Sequence, residues 1–362
     1  MLVMWAIGGT LIYLAIKKNM EPALLLPIGF GAILVNLPMS GAITQIADGL
    51  EEVGVIDVLF KAGIANELFP LLLFIGIGAM IDFGPLLSNP KLMLFGAAAQ
   101  FGIFFTLSLA SLCGFELRDA ASIAIIGAAD GPTSIFVATY FNSKYLGAIV
   151  VAAYSYMALV PIVQPPVIKL ITTKEERKIR MPYEEKKVSK TTRILFPIIL
   201  TVIVGIVSPK SVALIGFLMF GNLIRECGVL GSLSESAQKE LANLVTILLG
   251  ITIASGMRWE NFIQWDTIII LLLGLFAFVF DTVGGVLFAK LINLFSKNKI
   301  NPMIGAAGIS AFPMSARVVH KMGLEEDPQN FLLMHTVGVN VSGQIASVIA
   351  GGLILNLISR GV

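Results

Sequence analysis

Apolar residues fill most of this chain in long blocks, and short polar stretches mark where one block ends and the next begins. A helix needs about 20 mostly apolar residues to cross the hydrocarbon core of a bilayer, and fewer where Gly and Pro mark a broken or half-crossing segment. Measured this way, the pattern predicts about ten crossings. Leu2–Ile16, Ala23–Leu37, Leu68–Leu87, Leu92–Cys113 and Leu146–Ile171 belong to the first half of the chain. Ile194–Val207, Val212–Ile224, Leu241–Met257, Thr267–Phe295 and Phe331–Ile358 belong to the second. Two further segments, Ala120–Tyr140 and Asn301–His320, are apolar but interrupted by Gly, Pro and Ser, and they are expected to be re-entrant or broken hairpins.

The halves echo one another. IGFGAILVNL at Ile28–Leu37 is matched by IGFLMFGNLI at Ile215–Ile224, and IGAADGPTSI at Ile126–Ile135 by IGAAGISAFP at Ile304–Pro313. Five crossings per half is an odd number, so the second half is expected upside down relative to the first. That is the inverted-topology repeat of many secondary transporters, whose broken segments meet near the bilayer midplane. The expected fold is therefore an all-α polytopic membrane protein of two inverted repeats. Residues 1–172 form the first, 173–193 a basic cytoplasmic linker, and 194–362 the second.

Charge orients this scheme, because Lys and Arg are retained on the cytoplasmic side. Lys174–Arg193 holds eight Lys or Arg against four Glu and is predicted cytoplasmic, whereas Pro38–Asp57 has no Lys or Arg and is predicted external. The same count places Lys17, Lys18, Lys297, Lys299 and Lys321 inside. Of the 362 residues, 56% are hydrophobic and 13% charged, against roughly 25% charged in soluble domains. A formal net charge of +2 gives no footprint for nucleic acid. Cys113 and Cys227 stand far apart without ligand-spaced neighbours, so neither a disulfide framework nor a zinc site is expected. Met1–Ile16 lacks a basic start and is followed by Lys17 and Lys18, which reads as a span and not a cleaved signal.

Few ionisable residues fall inside the spans, and each costs at least about 2.5–3.5 kcal/mol there, so each is expected to face a cavity or a partner. Asp130 lies in GAADGPT, where Gly127 and Gly131 permit unusual backbone and Pro132 cannot donate to a helical ladder. Freed carbonyls beside a carboxylate suit a hard cation such as Na⁺; a simple N-cap for the second arm is the other reading. The second hairpin offers Asn301, Ser310, Ser315 and Arg317. The Arg317 fork fits a carboxylate, or else snorkels to the headgroups. Tyr154 and Tyr156 occur in AAYSYMALVPIVQPP, and Asn340, Ser342 and Gln344 in GVNVSGQIAS. The even spacing of those three residues means that one helical face cannot carry all of them, so either the helix unwinds or some only pack. Asp281 is a further buried acid, and Asp82 is expected at a cytoplasmic end. His320 and His335 lack clustered ligands and read as surface and core residues.

GAADGPTSIFVA, NPMIGAAGISAFPMSARVV, AAYSYMALVPIVQPP and GVNVSGQIASVIAGG, in this order and over nearly the whole chain, resemble the signature segments of the β subunits of Na⁺-exporting oxaloacetate, methylmalonyl-CoA and glutaconyl-CoA decarboxylases. The resemblance departs at the N-terminus, where family members often carry a further segment. It implies a membrane subunit that decarboxylates carboxybiotin brought by a partner while Na⁺ moves outward and a proton is consumed. It implies catalytic roles for Asp130, Tyr156 and Arg317, contact with carboxybiotin from Arg317, Asn301 and Ser310, and Na⁺ ligands from Asp130, Asn340, Ser310 and Asn301. Gly305 also matches a functional position. The implied partners are an α carboxyltransferase subunit, a biotin carrier protein or domain, a small γ or δ membrane subunit and further copies of the chain, in the inner membrane of a bacterium or archaeon. No biotin-attachment Ala-Met-Lys-Met segment and no P-loop occur, so biotin must come from a partner. The alternative from the residues alone is a Na⁺-coupled secondary transporter of an organic anion.

Overall fold

The computed structural model describes residues 1–20, 22–47, 50–182 and 187–360. Residues 48–49 of the predicted external loop and 183–186 of the predicted linker lie outside these. Thirteen helices carry the described fold: α1 Leu2–Lys18, α2 Pro22–Val35, α3 Leu68–Met80, α4 Pro90–Leu112, α5 Leu117–Ala124, α6 Gly131–Tyr140, α7 Leu146–Ile171, α8 Lys190–Val207, α9 Val212–Glu226, α10 Gly231–Met257, α11 Trp265–Phe295, α12 Met314–Glu326 and α13 Leu333–Arg360. Shorter turns join them, and a two-stranded antiparallel ribbon, Gln45–Ala47 with Leu50–Glu52, lies in the predicted external loop.

Local chemistry sets many of the boundaries. Asn19, left-handed at φ 52°, closes α1 with its N–H on the Leu14 carbonyl, and Lys17 and Lys18 occupy the last turn where the helix dipole favours cations. Ser189 caps α8, so that helix starts at Lys190, four residues earlier than the apolar run suggests. The predicted span Leu68–Leu87 is not one helix: the chain leaves α3 at Ile81 in extended backbone, and a separate short helix occupies Gly84–Ser88.

That break bears on the expected ten crossings, which the structure corrects. Among the described residues six helices are long and apolar enough to cross, α4, α7, α8, α10, α11 and α13, or up to seven if the bent pair Val55–Ile64 and Leu68–Met80 makes one span. The helices α1, α2 and α9 have 17, 14 and 15 residues; at about 1.5 Å per residue they fall short of the roughly 30 Å core. The apolar runs marked these helices closely, since prolines lie inside α2, α7 and α8 without ending them; several runs counted as crossings are simply shorter than a full span.

Packing is organised by small residues. Across α3 and α9 a Cβ on Gly78 would stand 1.8 Å from the Leu218 carbonyl oxygen, and one on Gly221 would stand 2.0 Å from that of Ile75. The pair α2 and α10 closes in the same manner at Gly31 and Gly250, where added methyls would meet Ala254 and Pro27 at 2.6 Å. Two buried asparagines tie these pairs together. Asn36 at the end of α2 donates to the Met257 carbonyl that ends α10, and Asn222 in α9 donates to the Gly78 and Ile81 carbonyls at the end of α3. The helix α8 lies outermost, burying only Pro197, Leu200 and Val204 and presenting its other apolar side chains outward, as a lipid-facing helix does. The helix α13 is the most enclosed of the six long helices.

Candidate functional site

The two interrupted segments meet inside this scaffold. After α5 the chain tightens into a 3₁₀ turn, Ile125–Ala128, passes through Ala129 in left-handed backbone at φ 50°, and reaches Asp130 in extended backbone before α6 begins. A non-glycine residue in left-handed backbone is uncommon and is held by its surroundings. Here the hold comes from the second segment, which runs through the 3₁₀ turn Pro302–Gly308 and then extends through Ile309. Ser310 donates both its N–H (3.1 Å) and its hydroxyl (2.7 Å) to the Ala128 carbonyl. From α13, the Asn340 amide donates to the Ile309 carbonyl at 2.6 Å.

Asp130 sits at this crossing, 3% exposed. One carboxylate oxygen accepts from Thr133 Oγ1 (2.7 Å), Ser347 Oγ (2.9 Å) and Gln344 Nε2 (3.2 Å). The other receives the Thr133 N–H at 3.5 Å, so the N-cap and the tertiary contacts share one carboxylate. Beside it opens a cavity of about 210 Å³, to which Asp130, Tyr154, Ser310 and Gln344 bring polar atoms between walls from α2, α3 and α10. The hydroxyl of Tyr154 and the amide oxygen of Asn340 are buried there or nearby with no hydrogen-bond partner among the described residues. One carboxylate with hydroxyl, amide and carbonyl oxygens is the donor chemistry of a hard cation.

The other candidates fall in different places. Tyr156 is turned away: its hydroxyl donates to the Leu271 carbonyl on α11, while Tyr154, two residues earlier, lies against Gly131 so closely that a Cβ there would stand 2.2 Å from the ring. Of the two tyrosines it is therefore Tyr154 that faces the acid. Asn301 shares no partner with Asp130. Its amide nitrogen donates to the carbonyls of Arg177 and Ile179 at the start of the linker, and its oxygen accepts the Met303 N–H, so the turn it caps and the linker use its polar atoms. Arg317, in the first turn of α12, is exposed and makes no ion pair among the described residues. Ser315 bonds Gln164 of α7 and the Ala306 carbonyl. Asp82 is half exposed, within 3.5 Å of Arg193.

Two polar partners of Asp130, Thr133 and Ser347, escaped the sequence reading. The helix α13 is unbroken, and Asn340, Gln344 and Ser347 recur at i, i+4 and i+7 on one face. Ser342 points elsewhere, to the Leu92 carbonyl. The helical spacing was present in the sequence, but Ser347 lies beyond the polar cluster that drew attention.

Comparison with known proteins adds the following. The family model of the Na⁺-transporting oxaloacetate decarboxylase beta subunit matches residues 1–358. The chain is 49% identical to the methylmalonyl-CoA decarboxylase subunit beta of Veillonella parvula, over 99% of this chain and 93% of that one. It is 49% identical to the glutaconyl-CoA decarboxylase subunit beta of Acidaminococcus fermentans, over 98% and 92%. With the oxaloacetate decarboxylase beta chain 2 of Salmonella typhi the identity is 44%, over 98% and 94%.

Proposed function

This chain belongs to the family of β subunits of Na⁺-transporting, biotin-dependent decarboxylases, and from that premise we propose that its two broken segments form the Na⁺ site of the pump around Asp130. The observation that carries the reading is the crossing itself, where a buried carboxylate, the Ser310 contact to Ala128 and the polar face of α13 converge beside a cavity. Na⁺ is the cargo, with Asp130 as its charged ligand and Ser310 and Asn340 as neutral ones; the unpartnered oxygen of Asn340 supports its place in the set. Asn301 holds the second segment to the linker and is left out of it.

Inverted symmetry is part of the proposal. Asn36 and Asn222, in the matched strings of the two halves, each brace the end of the third helix of the opposite half, and the pairs α2 with α10 and α3 with α9 exchange partners accordingly. Residues 1–172 and 194–362 are then the repeats, with the linker cytoplasmic. The β subunit works with an α carboxyltransferase, a biotin carrier, a small membrane subunit and further copies of itself in the cytoplasmic membrane. Arg317 fits the carboxybiotin these would deliver, since its guanidinium is exposed and uncommitted among the described residues, and such a fork binds a carboxylate in two-point fashion.

Bound carboxybiotin supplies a carboxylate whose loss as CO₂ releases free energy. This chain's residues do the rest: Arg317 orients the carboxylate, and Asp130 with the α13 face binds Na⁺. Moving Na⁺ outward costs about 2.3 kcal/mol per 100 mV, so the inward- and outward-facing states must differ in their affinity for it. The test is Na⁺-stimulated decarboxylation and ²²Na⁺ uptake by the assembled complex in vesicles, with Asp130→Asn as the variant. The chain acting alone as a Na⁺-coupled carrier of an organic anion, without decarboxylation, would overturn the reading.

A further inference from the structure

Asp281 takes no part in the site just described, yet it is fully buried near the middle of the 31-residue α11. Its setting is specific. The helix α4 breaks at Gln100, and the N–H groups of Gly102 and Ile103 just after the break both point at Asp281; that of Ile103 is shared, 3.2 Å from Oδ1 and 3.2 Å from the Gln100 carbonyl. Gly102 is required there, because a Cβ on it would stand 2.6 Å from Oδ1. The second oxygen, Oδ2, is buried and has no hydrogen-bond partner among the described residues. It faces Gly127, in the 3₁₀ turn three residues before Asp130, where an added Cβ would come within 2.9 Å of it.

A carboxylate at this depth with one bare oxygen is costly unless something compensates it. No charged side chain among the described residues pairs with it. Among the described residues, α4 presents Gly102 and Ile103 to it and the first hairpin presents Gly127, while Asp130 turns its carboxyl to α13 instead. On α7, Tyr156 has its hydroxyl committed to Leu271. The bare Oδ2 is the oxygen open to a proton, while the Gly102 and Ile103 N–H groups hold Oδ1.

We propose that Asp281 is the proton-holding residue of the pump, loaded in this conformation and discharged as the first hairpin moves. This rests on the function proposed above, whose chemistry needs such a group. Loss of CO₂ breaks the bond between the biotin nitrogen and the carboxylate carbon, leaves the electron pair on nitrogen, and requires one proton to complete that nitrogen. The proton given up by Asp281 meets this requirement and is replaced from bulk water in the next cycle. Coupling to Na⁺ follows from position, because Asp281 reads the turn that carries Asp130.

The experiment uses the assembled complex reconstituted in vesicles. Asp281→Asn keeps a carbonyl oxygen for the Gly102 and Ile103 N–H groups but has no exchangeable acid proton. It should bind Na⁺ as the parent does while turnover falls roughly 100-fold or more, in the range typical of acid–base groups. Asp281→Glu should recover part of that loss. Infrared spectra of the Na⁺-free complex should show a buried carboxylic-acid band that persists in Asp130→Asn and disappears in Asp281→Asn. Parental turnover in Asp281→Asn, or absence of the acid band from Asp130→Asn, overturns the proposal and leaves Asp281 as a cap for α4. The spectra do not depend on turnover, so a parent complex that fails to decarboxylate under Na⁺ sinks the functional reading separately.

Discussion

Asp130→Asn tests the site most directly, and its consequences divide into two parts with opposite signs. The oxygen that accepts from Thr133, Ser347 and Gln344 has only donors around it. An asparagine that turns its oxygen to them keeps those bonds, with its NH₂ toward the Thr133 N–H at the present 3.5 Å, where contact is loose. The lost charge is a different matter. A unit charge pair at about 4 Å and an effective dielectric near 20 is worth ~4 kcal/mol, which is roughly a thousandfold in affinity at about 1.4 kcal/mol per decade. Without Na⁺, the variant no longer carries a buried carboxyl that is either uncompensated or must be protonated, so the Na⁺-free complex should melt no lower than the parent. The assays are the Na⁺ dependence of decarboxylation, ²²Na⁺ uptake, and thermal unfolding with and without Na⁺. Asp130→Asn should assemble, lose stimulation at Na⁺ concentrations that saturate the parent, and lose the stabilisation that Na⁺ confers on the parent. A well-assembled Asp130→Asn complex with parental Na⁺ stimulation would falsify the site and leave the carboxyl as the N-cap of α6.

Further outcomes follow from the same geometry. Arg317→Lys retains charge but not the fork, so decarboxylation should drop by roughly tenfold or more, as loss of one charge-assisted bond of ~1.5–3 kcal/mol implies; parental turnover would return Arg317 to the headgroups. Gly221→Ala places a methyl 2.0 Å from the Ile75 carbonyl and should cost about 1–3 kcal/mol in thermal or denaturant unfolding, whereas Gly9→Ala, with nothing within 4 Å, should be close to neutral. Single cysteines in the loop after Arg177 and in the ribbon before Asp57 should react with an impermeant thiol reagent from opposite faces of the membrane; reaction of both from one face contradicts the inverted repeat.

The two hairpins were legible because Gly, Pro and one charge inside apolar runs have few uses in a lipid-facing helix, and Asp130 stood out for the same reason. Its surroundings were harder to read. Thr133 and Ser347 are ordinary helix residues until the fold sets them 2.7 and 2.9 Å from the carboxylate. Tyr154 and Tyr156 are two residues apart on α7 and so face different neighbours, a choice decided by Gly131 on one side and α11 on the other. Asn301 lies away from the acid. A polar residue in a signature string invites a ligand role, but its three hydrogen bonds are spent on the linker and its own turn. Number of crossings failed for a further reason: hydropathy counts apolar residues, and a helix that ends at Met80 leaves the following Ile81 as apolar as before.

Under the proposed repeat, the two crossing segments differ where chemistry requires them to. Aligning IGAAD with IGAAG puts Gly308 opposite Asp130 and Gly305 opposite Gly127. Gly308 has no room for a side chain, since a Cβ there would meet Ala99 at 2.7 Å and the Phe95 carbonyl at 2.8 Å. Gly305 presses against Gly285 of α11, each leaving about 2 Å for an added Cβ. The second segment is thus sealed against α4 and α11 by glycines, while the first opens toward α13 and a cavity at its acid and meets the bare oxygen of Asp281 at its own glycine. Two-fold architecture alone would place two equal charges at the midplane, where they would repel and double the desolvation cost. Replacing one by glycine leaves a single carboxylate at the crossing, and the basic residue of the second segment, Arg317, comes seven residues after Ser310 on a helix that leads away from it. A symmetric scaffold in this way carries a directional charge arrangement, which a pump needs and two identical hairpins would lack.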